Sequence, residues 1–166
     1  GAHPRLGILL LQAHALGRAQ LGADLAAILN ERDLLSQHTH GSDLWARMLV
    51  LRNNRISSQR TRDRAAADRL RTVIDQSRRW VQQLEQFEQE QKPQGIEATD
   101  EQIAAQLVAT AFPEWIAVAR PGQRGQFLLR QGRGAALQVS DPLDGAEALA
   151  IAQLDLGDTK AKIRLA

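Results

Sequence analysis

The sequence predicts an α+β chain, mainly an α-helical, ratchet-like bundle followed by a small antiparallel, OB-like β segment. Three observations carry this. Apolar residues recur at helical spacing through the first two thirds of the chain. Gly and Pro are sparse there and then crowd the stretch after Pro113. Beyond Pro113 the pattern shortens to strand-length apolar segments between turn clusters. The expected domains are a helical bundle over residues 1–112 and a β-domain over 113–166. The β-domain is expected to be incomplete, because its last candidate strand runs to the final residue.

Each element has its own warrant. Pro4 suits the first position of a helix over 4–17, with Leu6, Leu9, Leu10, Ala13 and Leu16 on one side and Gly17 ending it. A second helix spans about 19–31 on Leu21, Leu25, Ile28 and Leu29. Residues 36–42 read as a loop. Ser42 or Asp43 can cap a third helix carrying Leu44, Met48 and Leu51, with a break from Asn53 to Ser58. Residues 59–91 lack Gly and Pro, and the stripe from Ala66 through Trp80 to Phe87 predicts a helix roughly 45 Å long that forms the spine of the bundle. Lys92-Pro93-Gln94-Gly95 stops it. Thr99 and Gln102 form a capping box for a last helix on Ile103, Leu107, Val108 and Ala111. Candidate strands follow at Trp115–Val118, Gln126–Leu129, Ala135–Val139, Leu149–Leu154 and Lys162–Ala166.

Composition bounds the chemistry. With 43% hydrophobic and 24% charged residues the chain is an ordinary globular one. The absence of Cys excludes disulfides and thiolate metal sites and is permissive of a cytoplasmic location. No apolar run reaches membrane-spanning length, so no membrane partner is expected. Net charge is +2 but uneven: +6 over residues 1–80, −6 over 81–119 and +2 over 120–166. Of 21 basic residues 18 are Arg, which suits bidentate phosphate contacts, although a GC-rich genome favours Arg codons equally.

Catalytic signatures are missing. The sequence holds no Gly-x-x-x-x-Gly-Lys-[Ser/Thr] phosphate loop, and Asp100-Glu101-Gln102-Ile103 reads as a first helical turn rather than a magnesium-positioning box. His38 and His40 can share a metal in principle, but with no Cys or carboxylate cluster beside them they read as loop residues. No Ser, His and Asp pattern singles out a nucleophile. No catalytic residue, metal ligand or cofactor-binding residue is therefore assigned.

Two groups of Arg are candidate nucleic-acid-binding residues. Arg64, Arg71 and Arg78 are seven apart and form a helical stripe able to track a phosphate backbone. Asp68 and Asp75 lie within reach of the same Arg, so a salt-bridged solvent face competes with that reading. Arg120, Arg124, Arg130 and Arg133 lie in the β segment, with Arg124 and Arg133 in Gly-rich turns. Phe127 between them offers a base-stacking ring, or else a core residue.

Several stretches resemble one family. His3-Pro4-Arg5-Leu6, Ala15-Leu16-Gly17, Ala23-Asp24-Leu25-Ala26-Ala27, Glu31-Arg32-Asp33, Ser42-Asp43-Leu44 and Leu49-Val50-Leu51-Arg52 are similar to the helical part of the C-terminal accessory region of bacterial HrpB-type DEAH-box ATP-dependent helicases. Ala111-Phe112-Pro113-Glu114-Trp115-Ile116-Ala117 resembles that family's entry to its β-domain. Leu128-Leu129, Gly132-Arg133-Gly134-Ala135, Asp141-Pro142-Leu143 and Ile163-Arg164-Leu165-Ala166 follow in the family's order. Glu114-Trp115 stands where the family's Asp-Arg is expected, which removes one basic residue from the junction. The resemblance covers most of the chain and is least diagnostic around residues 55–95. It implies an accessory, non-enzymatic segment that guides single-stranded RNA or DNA. It also implies that ATP and Mg are bound by motor domains, which with a winged helix belong to the same parent chain as partners of this segment. The competing expectation is a protein–protein docking module without affinity for nucleic acid, for which the acidic window from Glu85 to Glu101 matters more than the Arg.

Overall fold

The computed structural model describes residues 3–31, 41–56, 64–87, 97–157 and 160–166. Five helices occupy the first part: α1 (Pro4–Ala15), α2 (Ala19–Asn30), α3 (Leu44–Ile56), α4 (Arg64–Leu84) and α5 (Asp100–Ala111). A single 3-10 turn (Pro113–Trp115) leads into six short strands: β1 (Ile116–Ala119), β2 (Gln126–Leu129), β3 (Gly134–Ala136), β4 (Ala148–Ala150), β5 (Gln153–Asp155) and β6 (Ala161–Leu165). The α+β expectation, helices first and a small curled sheet second, matches this order.

Local chemistry sets the helix ends where the sequence placed them. Pro4 opens α1 and the His3 imidazole accepts from the Arg5 amide. Asp43 caps α3 by accepting from the amides of Trp45 and Ala46. Thr99 and Gln102 form the reciprocal capping box of α5.

The central helix is α2, not the long one. Residues Leu21–Ile28 are buried without a break, so α2 has no solvent face over two turns. Helix α1 approaches it closely at Gly22, where an added Cβ would lie 2.2 Å from the Ala13 Cβ. Helix α4 packs on α2 and α1 through Leu70, Val73, Trp80 and Leu84 and exposes its other sides. Within the described residues α4 has 21 residues, about 31 Å, and gives way to a turn at Glu85–Phe87. Phe87, expected on the buried stripe, is 57% exposed, and its carbonyl accepts from His14 Nε2 at 3.1 Å. The helix ends expected at Gln59 and Gln91, the stop at 92–95 and the His38–His40 pair lie outside the described residues.

The break expected at Asn53 does not occur; α3 continues to Ile56. Tertiary anchors outweigh the weak helix propensity of Asn there. Arg52 bonds Asp100 at 2.8 Å, and Arg55 grips Asp24 with both terminal nitrogens at 2.6 and 2.8 Å. Asp24 is only 2% exposed. Its carboxylate also accepts from Ser77 Oγ of α4 at 2.5 Å and from Gln20 Nε2 at 3.0 Å. One buried charge thus ties α2, α3 and α4 together, and its lone pairs are met from every side.

The sheet runs β4-β1-β2-β3-β6-β5. Its pairs are antiparallel except β3 with β6, which is parallel, a correction to the all-antiparallel expectation. The long connection from β3 returns β6 in the same direction as β3. The strand expected over Leu149–Leu154 is two: β4 serves β1 at one edge and β5 serves β6 at the other, with Ile151 and Ala152 between them. Because β4 and β5 are adjacent in the chain, this hand-off joins the sheet's two edges and curls it into a barrel-like shape. Trp115 sits in the 3-10 turn rather than in a strand, and Val139, expected in β3, is 98% exposed.

Bundle and barrel share a seam. The Ser42 amide donates to Asp141 Oδ2 at 2.9 Å, and residues 42 and 44 pair with the backbone of Ala166. Gly41 (φ 61°) lies so close to Pro142 that a Cβ would meet its Cδ at 2.5 Å. Arg47, fully buried, donates to the carbonyls of Asp43 and Gly41. Ala152 and Leu165 of the barrel belong to the same apolar core as the helices.

Two stability predictions follow from this packing. Gly22→Ala, which raises helix propensity by about 1 kcal/mol in an exposed helix, lowers stability here because of the Ala13 contact; a higher urea midpoint than wild type would contradict it. Asp24→Ala costs about 3 kcal/mol by leaving Arg55 and Ser77 without their acceptor, measured by urea unfolding monitored with circular dichroism.

Candidate nucleic-acid interface

The strands place alternate side chains on opposite faces. Ala117, Phe127, Leu129, Ala135, Ala161, Ile163 and Leu165 point inward and are buried. Phe127 is 1% exposed, so it is a core residue and offers no free ring. The outward positions form two rows. Ala148, Val118, Leu128 and Gly134 lie side by side across β4, β1, β2 and β3, with Val118 58% and Leu128 40% exposed. Beside this apolar row runs a polar one: Arg120 backbone-bonded to Gln126, then Ala136, then Lys162.

Cations converge on these rows. The Arg120 guanidinium reaches back across the sheet to Gly134, 3.4 Å from where a Cβ would stand. The Lys160 stem also lies beside Gly134, 3.8 Å from the same point, and its ammonium donates to Gln126 Oε1 at 2.9 Å. A Cβ at position 134 would stand in ordinary contact with both side chains, so Gly134 marks where the two cations come together on the sheet. Arg133 donates to the carbonyl of Gly157. Arg164, outward on β6, is paired with Asp155 at 3.1 Å.

Of the candidates named from sequence, Arg120 lies within this patch and Arg133 beside it. Arg130 is exposed at the end of β2, its amide bonded to the Ile116 carbonyl at 3.1 Å. Arg124 is in the β1–β2 turn that Arg120 leads into, bonded to Asp144 at 2.9 Å. That carboxylate raises the Arg124 pKa further above a range where it is always charged, so pairing only neutralises its field. Arg64, Arg71 and Arg78 lie on the exposed side of α4. Arg71 and Arg78 stand 3.7 and 3.8 Å from Asp68 and Asp75, the salt-bridged arrangement the spacing also allowed. The α4 helix packs on α1 and α2 whereas the barrel packs on α5 through β4, so the two Arg groups are carried by elements with different neighbours.

Lys160, Lys162 and Arg164 were not among the sequence candidates. The alternation Ala161-Lys162-Ile163-Arg164-Leu165 held the signal, since period two sets both cations on one face. Arg47 was also missed, although 44, 47, 48 and 51 are one helical face.

A second feature lies where α5 enters the barrel. Phe112 and Trp115 stack with planes 1° apart and centroids 5.3 Å apart. The Arg5 guanidinium lies over both rings, at 5.3 and 6.0 Å. Arg5 also donates to the Ala111 carbonyl at 2.9 Å and meets Glu114 Oε1 at 2.5 Å. The hydrogen bond from Arg5 holds the Glu114 carboxyl below the ordinary glutamate range. The Glu114-Trp115 departure from the family pattern is therefore a built contact with α1.

Compared with known proteins, the chain is similar in structure to the E. coli DExH-box NTPase HrpB. The TM-score is 0.61 at 27% sequence identity. The match covers 99% of this chain and 17% of that protein, so the chain spans about a sixth of the neighbour's length. No protein-family model matches, and no curated protein matches. The fold is thus helicase-related: helices and barrel together correspond to one segment of a much longer NTPase. Among the described residues no group of His, Asp and Glu is placed to hold a metal, and no helix is long and apolar enough to cross a membrane.

The Arg5–Glu114 pair makes a pH prediction. A carboxylate with a depressed folded pKa stabilises above its unfolded pKa and loses that contribution as pH falls through the folded value. Glu114→Gln is therefore less stable than wild type at pH 7, and the difference shrinks below the ordinary glutamate range. Melting temperatures at pH 7 and pH 3 test this; an equal gap at both would refute it.

Proposed function

We propose that this chain is an accessory segment of an ATP-dependent helicase of the HrpB type, whose OB-like barrel guides single-stranded RNA or DNA. The observation that carries the reading is the end-to-end similarity to one segment of a DExH-box NTPase. Motor and winged-helix domains of the parent chain are its partners, and ATP and Mg belong to the motor domains. The segment works in the cytoplasm and catalyses nothing itself.

The barrel's outer face supports this reading. A strand of nucleic acid presents a line of phosphates beside apolar sugar and base surface. Arg120, Lys160 and Lys162 beside the exposed Val118–Leu128 row offer the matching pair of surfaces. The turn-borne Arg133 extends the cationic side.

A second reading has an observation of its own. Helices α1 and α4 flank an open groove of about 550 Å³ lined by Leu10, Leu11, Trp80, Leu84 and Phe87. Leu11 and Phe87 are 50% and 57% exposed there. Such a surface suits docking against another protein domain.

Fluorescence anisotropy with a labelled single-stranded oligonucleotide across a salt series separates the two. Weak binding is expected, its logarithm falling linearly with the logarithm of salt concentration. Replacing Arg120, Lys160 and Lys162 by Gln is expected to flatten that slope by about 2. An absence of binding at the lowest salt leaves the docking reading in possession.

A further inference from the structure

We propose that the groove beside the Phe112–Trp115 stack seats one unstacked base of a bound single strand. The inference rests on the guiding role proposed above and adds a base-binding position to it, away from the barrel's cationic rows.

The groove is about 480 Å³, within the size range of small-ligand sites. It lies between the start of α1, the end of α2 and strand β5, with Phe112, Trp115, Asn30 and Gln153 among its walls. Both rings are only partly buried and already parallel. A planar ring entering the groove can pack against the exposed parts of these rings. The rings are also held in place. The Phe112 amide bonds the Val108 carbonyl at 2.9 Å, the Trp115 amide bonds the Phe112 carbonyl at 3.0 Å, and Arg5 pins Glu114 between them.

The chemistry of the walls selects the ligand. A cationic guest is disfavoured, because Arg5 already occupies the cation position over the rings. Glu114, the acid of the junction, is neutralised by the same Arg5 and does not repel a polyanion. A neutral planar ring is what remains. Asn30 and Gln153 present side-chain amides that make no hydrogen bond among the described residues. Each amide carries donors and an acceptor, the complement of a base edge. Nothing in the family resemblance marks this groove, since Trp115 stands where that resemblance expects Arg.

The test compares two labelled strands of equal length, one with bases and one abasic throughout, so that phosphates are held constant. Wild type is expected to bind the base-bearing strand about tenfold more tightly. Trp115→Leu is expected to narrow that preference to about threefold or less, the barrel's apolar row keeping its own base contacts, while leaving the salt slope unchanged, because stacking releases no counterions. Equal affinity of wild type for both strands overturns the stacking site and leaves phosphate guiding intact. Failure to bind either strand instead overturns the guiding role itself, and the site with it. A Trp115→Leu chain that weakens both strands equally assigns Trp115 a structural role and overturns the proposal. If circular dichroism shows that this variant does not fold, Asn30→Ala with Gln153→Ala takes its place. That pair is expected to narrow the preference to about threefold or less, and an unchanged preference overturns the site.

Discussion

A single carboxylate sets the geometry of the bundle. Asp24 stands on a helix that is apolar all round, where an unpaired charge is costly. It is tolerated because Arg55, Ser77 and Gln20 reach it from three helices. That requirement fixes how α3 and α4 lie on α2, and it is why α3 must stay helical past two Asn residues. Apolar packing alone would accept several registers of α4 along α2; a hydroxyl 2.5 Å from a buried carboxylate oxygen accepts one. With α2 so fixed, α1 closes on it at Gly22, and the seam at Gly41 and Asp141 sets the barrel on the bundle.

How much of this was legible depended on the range of the interaction. Pro4, Gly17, Asp43 and the Thr99–Gln102 box act on their own neighbours, so each helix boundary they govern could be read directly. The helix-then-sheet order was readable from the shift in apolar period. Asp24 was not readable as a hub, because its partners are 31 and 53 residues away. The dominance of α2 over the longer α4 was hidden for a similar reason. Length is visible in sequence, whereas being enclosed on all sides depends on neighbours. The split of the β4–β5 stretch was invisible because it comes from serving two different partner strands.

The candidate site shows the same division. Arg120 and Arg133 were candidates by residue type, Arg133 also by its Gly-rich turn, but the convergence of Arg120 and Lys160 over Gly134 depends on a parallel strand pair that no local pattern announces. Arg71 and Arg78 were correctly offered with Asp68 and Asp75 as their neighbours. Phe127 carried the pattern of an alternating strand, and alternation cannot say which face is wet. Trp115 read as the start of a strand; the Pro before it instead sets a 3-10 turn that stacks the indole on Phe112.

The hand-off between β4 and β5 also governs how this barrel can meet other molecules. Each of those strands is three residues long and leaves only that span of backbone without a lateral partner. Strand addition needs a longer open margin, so a visiting peptide gains little by extending the sheet. Encounters are thereby diverted to the outward side chains, where affinity can be altered one residue at a time without disturbing the ladder beneath.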